Sequence, residues 1–249
     1  MSNEPSGTHT SRTIMLDELS ALLASCSPDA DYQDYAEAVV DTNVLGKATL
    51  STRKKSLRHL RELYGLRAEL PVFSGLRSLW WDNPTSRPVL AVLCAAARDP
   101  LLRATADVIA DTPSGSRTGT AELSDAVGSA FPHRFTTGVQ ARIGRNVASS
   151  WTQSGHLTGR ANKVRAQARA TPATAAYALY LGHLADETGD ALFRTLWSRI
   201  LDVPEGQVRD LAASASRLGW INYRSAAAMT EVTFRHLESV AISTSEVVA

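Results

Sequence analysis

The stretch QARIGRNVASSWTQSGHLTGRANKVRAQAR, residues 140–169, carries six basic residues and no acidic one. Acid is absent from the whole of Ala126 to Ala185, where Arg134, Arg142, Arg145, Arg160, Lys163, Arg165 and Arg169 supply seven positive charges. A solvated protein face normally mixes signs, so a block of this kind is built for a negatively charged partner. Within it, Val139, Ile143, Val147 and Trp151 recur every fourth residue and predict a helix over about 137–152 with an apolar stripe. Arg142, Arg145, Ser149, Thr152 and Gln153 fall on another face of that helix. Arginine can donate bidentately to guanine, glutamine can pair with adenine, and serine or threonine reaches phosphates and base edges, so this set suits a major groove. Arg160, Lys163, Arg165 and Arg169 follow in a predicted hairpin, where they would hold phosphates. The bland alternative is that these arginines solvate their elements or pair with the acidic N-terminal part of the same chain.

A second basic face is predicted on the helix 51–66, STRKKSLRHLRELYGL, where Leu57, Leu60 and Tyr64 share one side and Lys54, Lys55, Arg58 and Arg61 the other. It would either extend a nucleic-acid track or pair with the acids of residues 29–41. Residues 1–41 hold eight acids against the single Arg12, which is how a chain of formal charge +1 hides two basic blocks. His133 and His156 lie inside the larger block and read as neighbours of phosphate or as plain surface residues. Phosphate-binding loops, dinucleotide fingerprints, zinc-binding helices and nucleophile elbows are all missing from the sequence. The expectation is a protein that is not an enzyme, with no catalytic residues, no metal, no cofactor and no small-molecule substrate. Cys26 and Cys94 read as small apolar residues.

The elements around these residues are helical up to residue 112, with helices expected at about 14–25, 31–40, 51–66, 73–81, 88–97 and 101–109. Gly115 lies in PSGSRTGT, residues 113–120, a cluster of linker composition that suggests a boundary. Helix, turn, helix and hairpin then follow, the order of a winged helix-turn-helix. In the hairpin's second arm Val164, Ala166 and Ala168 alternate with Arg165, Gln167 and Arg169, predicting that the arginines point out. A long helix at 172–187 leads to a second helix-hairpin unit, with helices at 191–201 and 204–218 and strands at 220–224 and 229–234. Its polar face mixes Glu205, Arg209, Asp210 and Arg217, which favours packing or protein contact over base reading. The predicted fold is therefore mainly α: an N-terminal helical bundle followed by winged helix-turn-helix type units with short β-hairpins. The expected divisions are a disordered tail at 1–12, a helical domain at 13–112, a basic winged-helix-like region at 113–187, a second helix-hairpin unit at 188–240 and a tail at 241–249.

With 44% apolar and 20% charged residues the composition is that of a soluble protein with a real core. The longest apolar run, Pro88 to Ala97, is too short for a bilayer, and the N-terminus, with an acid and no apolar core, does not read as a signal peptide. A cytoplasmic location without membrane contact is expected.

Three stretches, 43-NVLGKATLSTRKKSLRHLRELYGL-66, 172-PATAAYALYLGHLADETGDALFRTLWSRILD-202 and 217-RLGWINYRSAAAMTEVTFRHL-237, give the chain a resemblance to a known family. They are similar to the Asn-x-Leu-x-Lys, Leu-Trp-x-x-x-Leu-Asp and Gly-Trp segments of the BrxA-type accessory proteins of bacterial BREX phage-defence systems. The resemblance implies a small helical protein with a winged-helix part and no catalytic activity. It also implies binding of double-stranded DNA alongside other phage-defence proteins. The alternatives are a protein-protein adaptor in the same system, a winged-helix transcriptional regulator and an RNA-binding protein.

Overall fold

The computed structural model describes residues 7–81, 83–226 and 229–242. The chain opens with a 3-10 turn at Thr8–Thr10, then α1 (Leu16–Ser25), α2 (Tyr32–Val40), α3 (Leu50–Tyr64), α4 (Pro71–Trp80) and α5 (Arg87–Arg98). It continues through α6 (Pro100–Arg103), α7 (Ala106–Asp111), α8 (Thr120–Ala130), α9 (Thr137–Gln153), β1 (Leu157–Thr158) and β2 (Val164–Arg165). The remaining elements are α10 (Pro172–His183), a 3-10 segment at Gly189–Arg194, α11 (Leu196–Ile200), α12 (Glu205–Arg217), β3 (Asn222–Ala226), β4 (Met229–Thr233) and α13 (Arg235–Ile242). The protein is thus mainly helical, with two small antiparallel sheets.

The elements gather into two compact units that interleave along the chain. One holds the residues up to 66 together with 95–166; the other holds 67–94 together with the residues from 167 onward. The breaks fall at 66/67, 94/95 and 166/167 rather than at the expected 112/113 and 187/188. The Gly/Ser/Thr cluster at 113–120 is not a linker. Arg117 bridges Val164, Arg165 N–H donates to the Ser116 carbonyl (2.8 Å) and Thr118 N–H to that of Lys163 (3.2 Å), so this segment edges the β1–β2 hairpin. Small turn-forming residues read as a linker wherever their partner strand is nearly fifty residues away.

In the first unit, α9 buries Ile143, Val147 and Trp151 completely, as the four-residue spacing predicts, while Val139 stays half-exposed. Trp151 Nε1 donates to Thr105 Oγ1 (2.8 Å), and that hydroxyl donates to the Leu102 carbonyl (2.7 Å). Thr105 therefore divides the helix expected at 101–109 into α6 and α7. A Cβ on Gly144 would stand 2.7 Å from the Thr120 carbonyl oxygen, so the close approach of α8 to α9 depends on that glycine. α3 is capped by Thr49, whose hydroxyl accepts from Thr52 N–H (3.2 Å), so the helix opens at Leu50.

The tail expected over residues 1–12 is ordered from Gly7, its first six residues lying outside the described ones. His9 has no exposed surface, and Ile14 and Leu19 are equally buried. Of the second expected tail, residues 243–249 likewise lie outside the described residues.

The second unit is organised on α10, which is buried from Ala173 to Gly182. Thr171 caps it in a reciprocal box with Thr174, and Tyr177 Oη donates to the Val72 carbonyl on α4 (2.6 Å). Val208, Ala212 and Ala215 of α12 are buried, and Leu218 after its end is 57% exposed. β3 and β4 pair in the register Tyr223↔Val232, and Met229 at their turn is 75% exposed.

Candidate nucleic-acid interface

At about 100° per residue, α9 has three faces rather than two. One is the buried stripe. The second is polar and already occupied: the N-terminal strap lies along it. Arg142 Nε donates to the Thr10 carbonyl (3.0 Å), Asn146 Nδ2 to the His9 carbonyl (2.8 Å), and Gln153 Oε1 accepts from Leu16 N–H (3.1 Å). Ser150 Oγ lies 2.8 Å from His9 Nε2, accepts from Ile14 N–H (3.0 Å) and donates to the Asn146 carbonyl (2.9 Å). The third face is open and consists of Gly138, Ala141, Arg145, Ser149 and Thr152, with Arg142 at its border.

Gln153 is therefore not available to read a base, contrary to the sequence expectation. Its spacing from Arg142, Asn146 and Ser150, at steps of four, four and three, marks a second occupied stripe. That pattern was visible in the sequence, but its partner, a segment of turn composition more than a hundred residues away, was not. Arg142 and Arg145 are exposed and Ser149 is half-buried. Arg145 has no hydrogen-bond or ion-pair partner among the described residues, and Arg142 keeps its terminal nitrogens for a ligand.

The strap is held by a buried Asp–His–Ser line: His9 Nδ1 lies 2.8 Å from Asp99 Oδ2, and His9 Nε2 faces Ser150. Burial pushes the Asp99 carboxyl upward, but hydrogen bonds from the His9 ring and backbone and from Leu101 N–H outweigh it, leaving the group below the ordinary carboxylate value. The arrangement resembles a nucleophile with its base and orienting acid. Ser150 is fully buried and both its donor and acceptor capacities are in use, so no substrate reaches it. The line is a structural lock.

The hairpin divides the remaining bases by role. Arg160 is exposed at its turn, next to Gly159, which has φ +87° and whose Cβ would meet the Asn162 carbonyl oxygen at 2.2 Å. Lys163 Nζ donates to Thr152 Oγ1 and to the Gly159 carbonyl, both at 2.8 Å, pinning the hairpin to the end of α9; burial lowers its pKa. Arg165 does not point out: it is 2% exposed. Its Nε donates to the Ile109 carbonyl (2.7 Å), and its Nη1 to the His156 carbonyl (3.0 Å) and to that of Ala166. It is a core residue that joins α7 to the hairpin, and phosphate has no path to it. His156 is also interior, edge-on to Trp151 at 5.0 Å between ring centres, with Nδ1 2.8 Å from Ser154 Oγ. Arg169 is exposed but belongs to the second unit. Within the first unit the structure thus keeps Arg142, Arg145, Ser149, Arg160 and Lys163 as candidates, and takes Gln153 and Arg165 out of that set.

On α3, Lys54, Lys55, Arg58 and Arg61 are exposed as expected. Lys54 and Lys55 have no partner among the described residues, so the acids of 29–41 do not neutralise them. Arg58 lies 3.7 Å from Glu62, and Arg61 covers the Tyr32 ring at 5.6 Å.

Among the described residues no group of three or more His, Cys, Asp or Glu could hold a metal ion, and no helix is long and apolar enough to cross a membrane. No protein-family model matches the chain, and no curated protein matches it.

Proposed function

We propose that the first unit is a winged helix-turn-helix that binds double-stranded DNA without catalysing a reaction, with α9 approaching the groove and the β1–β2 hairpin serving as the wing. The observation that carries this reading is the open face of α9. It presents Arg142, Arg145 and Ser149 from a stretch of sequence that carries no acid, continued by Arg160 at the hairpin turn. The element order α7, strand segment 115–118, α8, α9, β1, β2 supports it, because that is the order in which such a module builds its three-stranded edge. Arg142, Arg145, Arg160 and the remaining donor of Lys163 neutralise phosphates, which contributes register and sequence-independent affinity, and Arg142 and Arg145 at the groove edge add base discrimination.

Membership of a BREX-type phage-defence system, with other proteins of that system as partners and a cytoplasmic location, is part of the same proposal. It rests on the resemblance of residues 43–66, 172–202 and 217–237. A protein-contact role for the second unit is favoured by a separate observation. Arg209 on α12 is committed to Glu205 (2.6 Å) and Asp190 (3.0 Å) and covers the Phe193 ring at 4.3 Å, while Met229 at the start of β4 is 75% exposed.

The test is binding of a fluorescent duplex by the wild type and by the double variant Arg142→Ala/Arg145→Ala, with single-stranded DNA and duplex RNA alongside. The double variant should keep its helical circular dichroism and lose at least tenfold in duplex affinity. A folded double variant that binds as the wild type does would place the DNA-contacting surface elsewhere.

A further inference from the structure

The strap also bears on the second basic block. Thr8 Oγ1 donates to Glu62 Oε2 on α3 (2.9 Å), while Thr10 and His9 accept from Arg142 and Asn146 on α9. The strap is therefore a single backbone seam with α3 on one side and α9 on the other. Its next residues, Ser11 and Arg12, are exposed. The Arg12 charge reaches α3: the His59 pKa is lowered first by burial, and the positive charges of Arg58 and Arg12 lower it further against the raising effect of Glu62. Along α3, Arg58 and Lys54 follow one another at the i,i+4 spacing of a single ridge, with Lys55 beside them. Of the acids that touch the strap, Asp99 is buried against His9, and Glu62 is engaged by Thr8, by His59 (3.2 Å) and by Arg58 (3.7 Å).

The geometry points to one continuous phosphate track across the first unit, running from Arg145 and Arg142 on α9, over Arg12 on the strap, to Arg58, Lys54 and Lys55 on α3, for the backbone of double-stranded DNA. The inference rests on the DNA-binding reading of α9 and adds to it a second stretch of duplex beyond the groove contact. Charge complementarity selects the occupant: cations on two helix ridges and on the seam between them, with Glu62 already engaged by Thr8, His59 and Arg58, suit a regularly spaced polyanion. Packed helix axes lie ~8–10 Å apart, so a seam between two helices separates the ridges by roughly 10–20 Å. At ~3.4 Å per base pair this adds about 3–6 base pairs to the footprint. The strap has a role in this account besides packing, since it both fixes α9 and carries a cation across the gap.

The experiment compares salt dependence on a ~10-bp and a ~30-bp duplex for the full chain, for Lys54→Ala/Lys55→Ala/Arg58→Ala, and for Arg12→Ala. Each phosphate contact contributes about −0.9 to the slope of log K against log salt. The wild type should show a steeper slope on the longer duplex. The triple variant should lose about 2.7 of that slope, so that its affinity loss between 50 and 200 mM salt is about 40-fold smaller, while its binding of the short duplex is unchanged. Arg12→Ala should lose about 0.9 on the long duplex alone, which guards against a folding defect in the triple variant. If both variants bind the long duplex with the wild-type slope, the track is wrong and the α9 reading stands. If the wild type binds neither duplex, the α9 reading fails and the track with it. An equal slope change on a ~30-bp RNA duplex would overturn the assignment to DNA.

Discussion

Replacing Arg165 by alanine separates a structural arginine from a phosphate-binding one. The side chain is 2% exposed and its guanidinium serves three backbone carbonyls, those of Ile109, His156 and Ala166. A hydrogen bond to a charged donor contributes roughly 1.5–3 kcal/mol, and a buried acceptor left without a partner costs about 1–3 kcal/mol. These contributions overlap, because they are two descriptions of the same loss, and water can enter part of the space. A net destabilisation of about 3–5 kcal/mol follows, comparable to breaking other buried charged networks. At ~2–4 °C per kcal/mol for a chain of this size, the melting temperature should fall by about 6–20 °C. The assay is thermal unfolding followed by circular dichroism, with duplex binding measured well below the transition. The folded fraction should bind DNA within about threefold of the wild type, because no phosphate reaches this group. A variant that melts within 2 °C of the wild type yet loses most of its duplex affinity would refute the assignment of Arg165 to the core.

Two further outcomes follow from the same unit. Gly144→Ala would drive a methyl group against the Thr120 carbonyl oxygen at 2.7 Å, which should destabilise by about 1–3 kcal/mol despite alanine's better helix propensity; a more stable variant in chemical denaturation would show that α8 and α9 pack less closely. Asp99 is held below its unfolded value, so its stabilising effect on the strap is complete above about pH 4 and is lost as pH falls through the lower folded value. Hydrogen exchange of residues 8–14 should therefore speed up on acidification below about pH 4 beyond the intrinsic change, and Asp99→Asn should already exchange faster at neutral pH; equal protection in variant and wild type would remove the lock.

The helices were legible because their apolar spacing is a local signal. Ile143, Val147 and Trp151 lie on one stripe whatever they pack against, and Gly65 ends α3 where a helix of that pattern should stop. What stayed hidden depends on partners distant in sequence. Arg165 sits in an alternating strand pattern that normally turns charge outward, and the carbonyls of Ile109, His156 and Ala166 that converge on it support the inward orientation. The strap has the Ser/Thr/Gly composition of a disordered tail, yet His9 finds Asp99 and Ser150, residues separated from it by 90 and 141 positions. The same long-range pairing turned PSGSRTGT from an apparent linker into a sheet edge. For the candidate site, charge depletion pointed to α9 and the hairpin, where exposed cations do lie, while which side chains are exposed and which are buried depended on the third dimension. Arg142, Arg145 and Arg160 were readable as exposed cations; Gln153 was not readable as a ligand of the strap.

The central claim is that the open face of α9 and the hairpin turn neutralise duplex phosphates. The most direct measurement is the equilibrium affinity of the wild type for a ~10-bp DNA duplex from 50 to 300 mM salt. Arg142, Arg145 and Arg160, with or without the remaining donor of Lys163, make three or four phosphate contacts, which predicts a slope between about −2.7 and −3.6 in log K against log salt. A slope shallower than about −1, or no measurable duplex binding at 50 mM salt, would contradict the account.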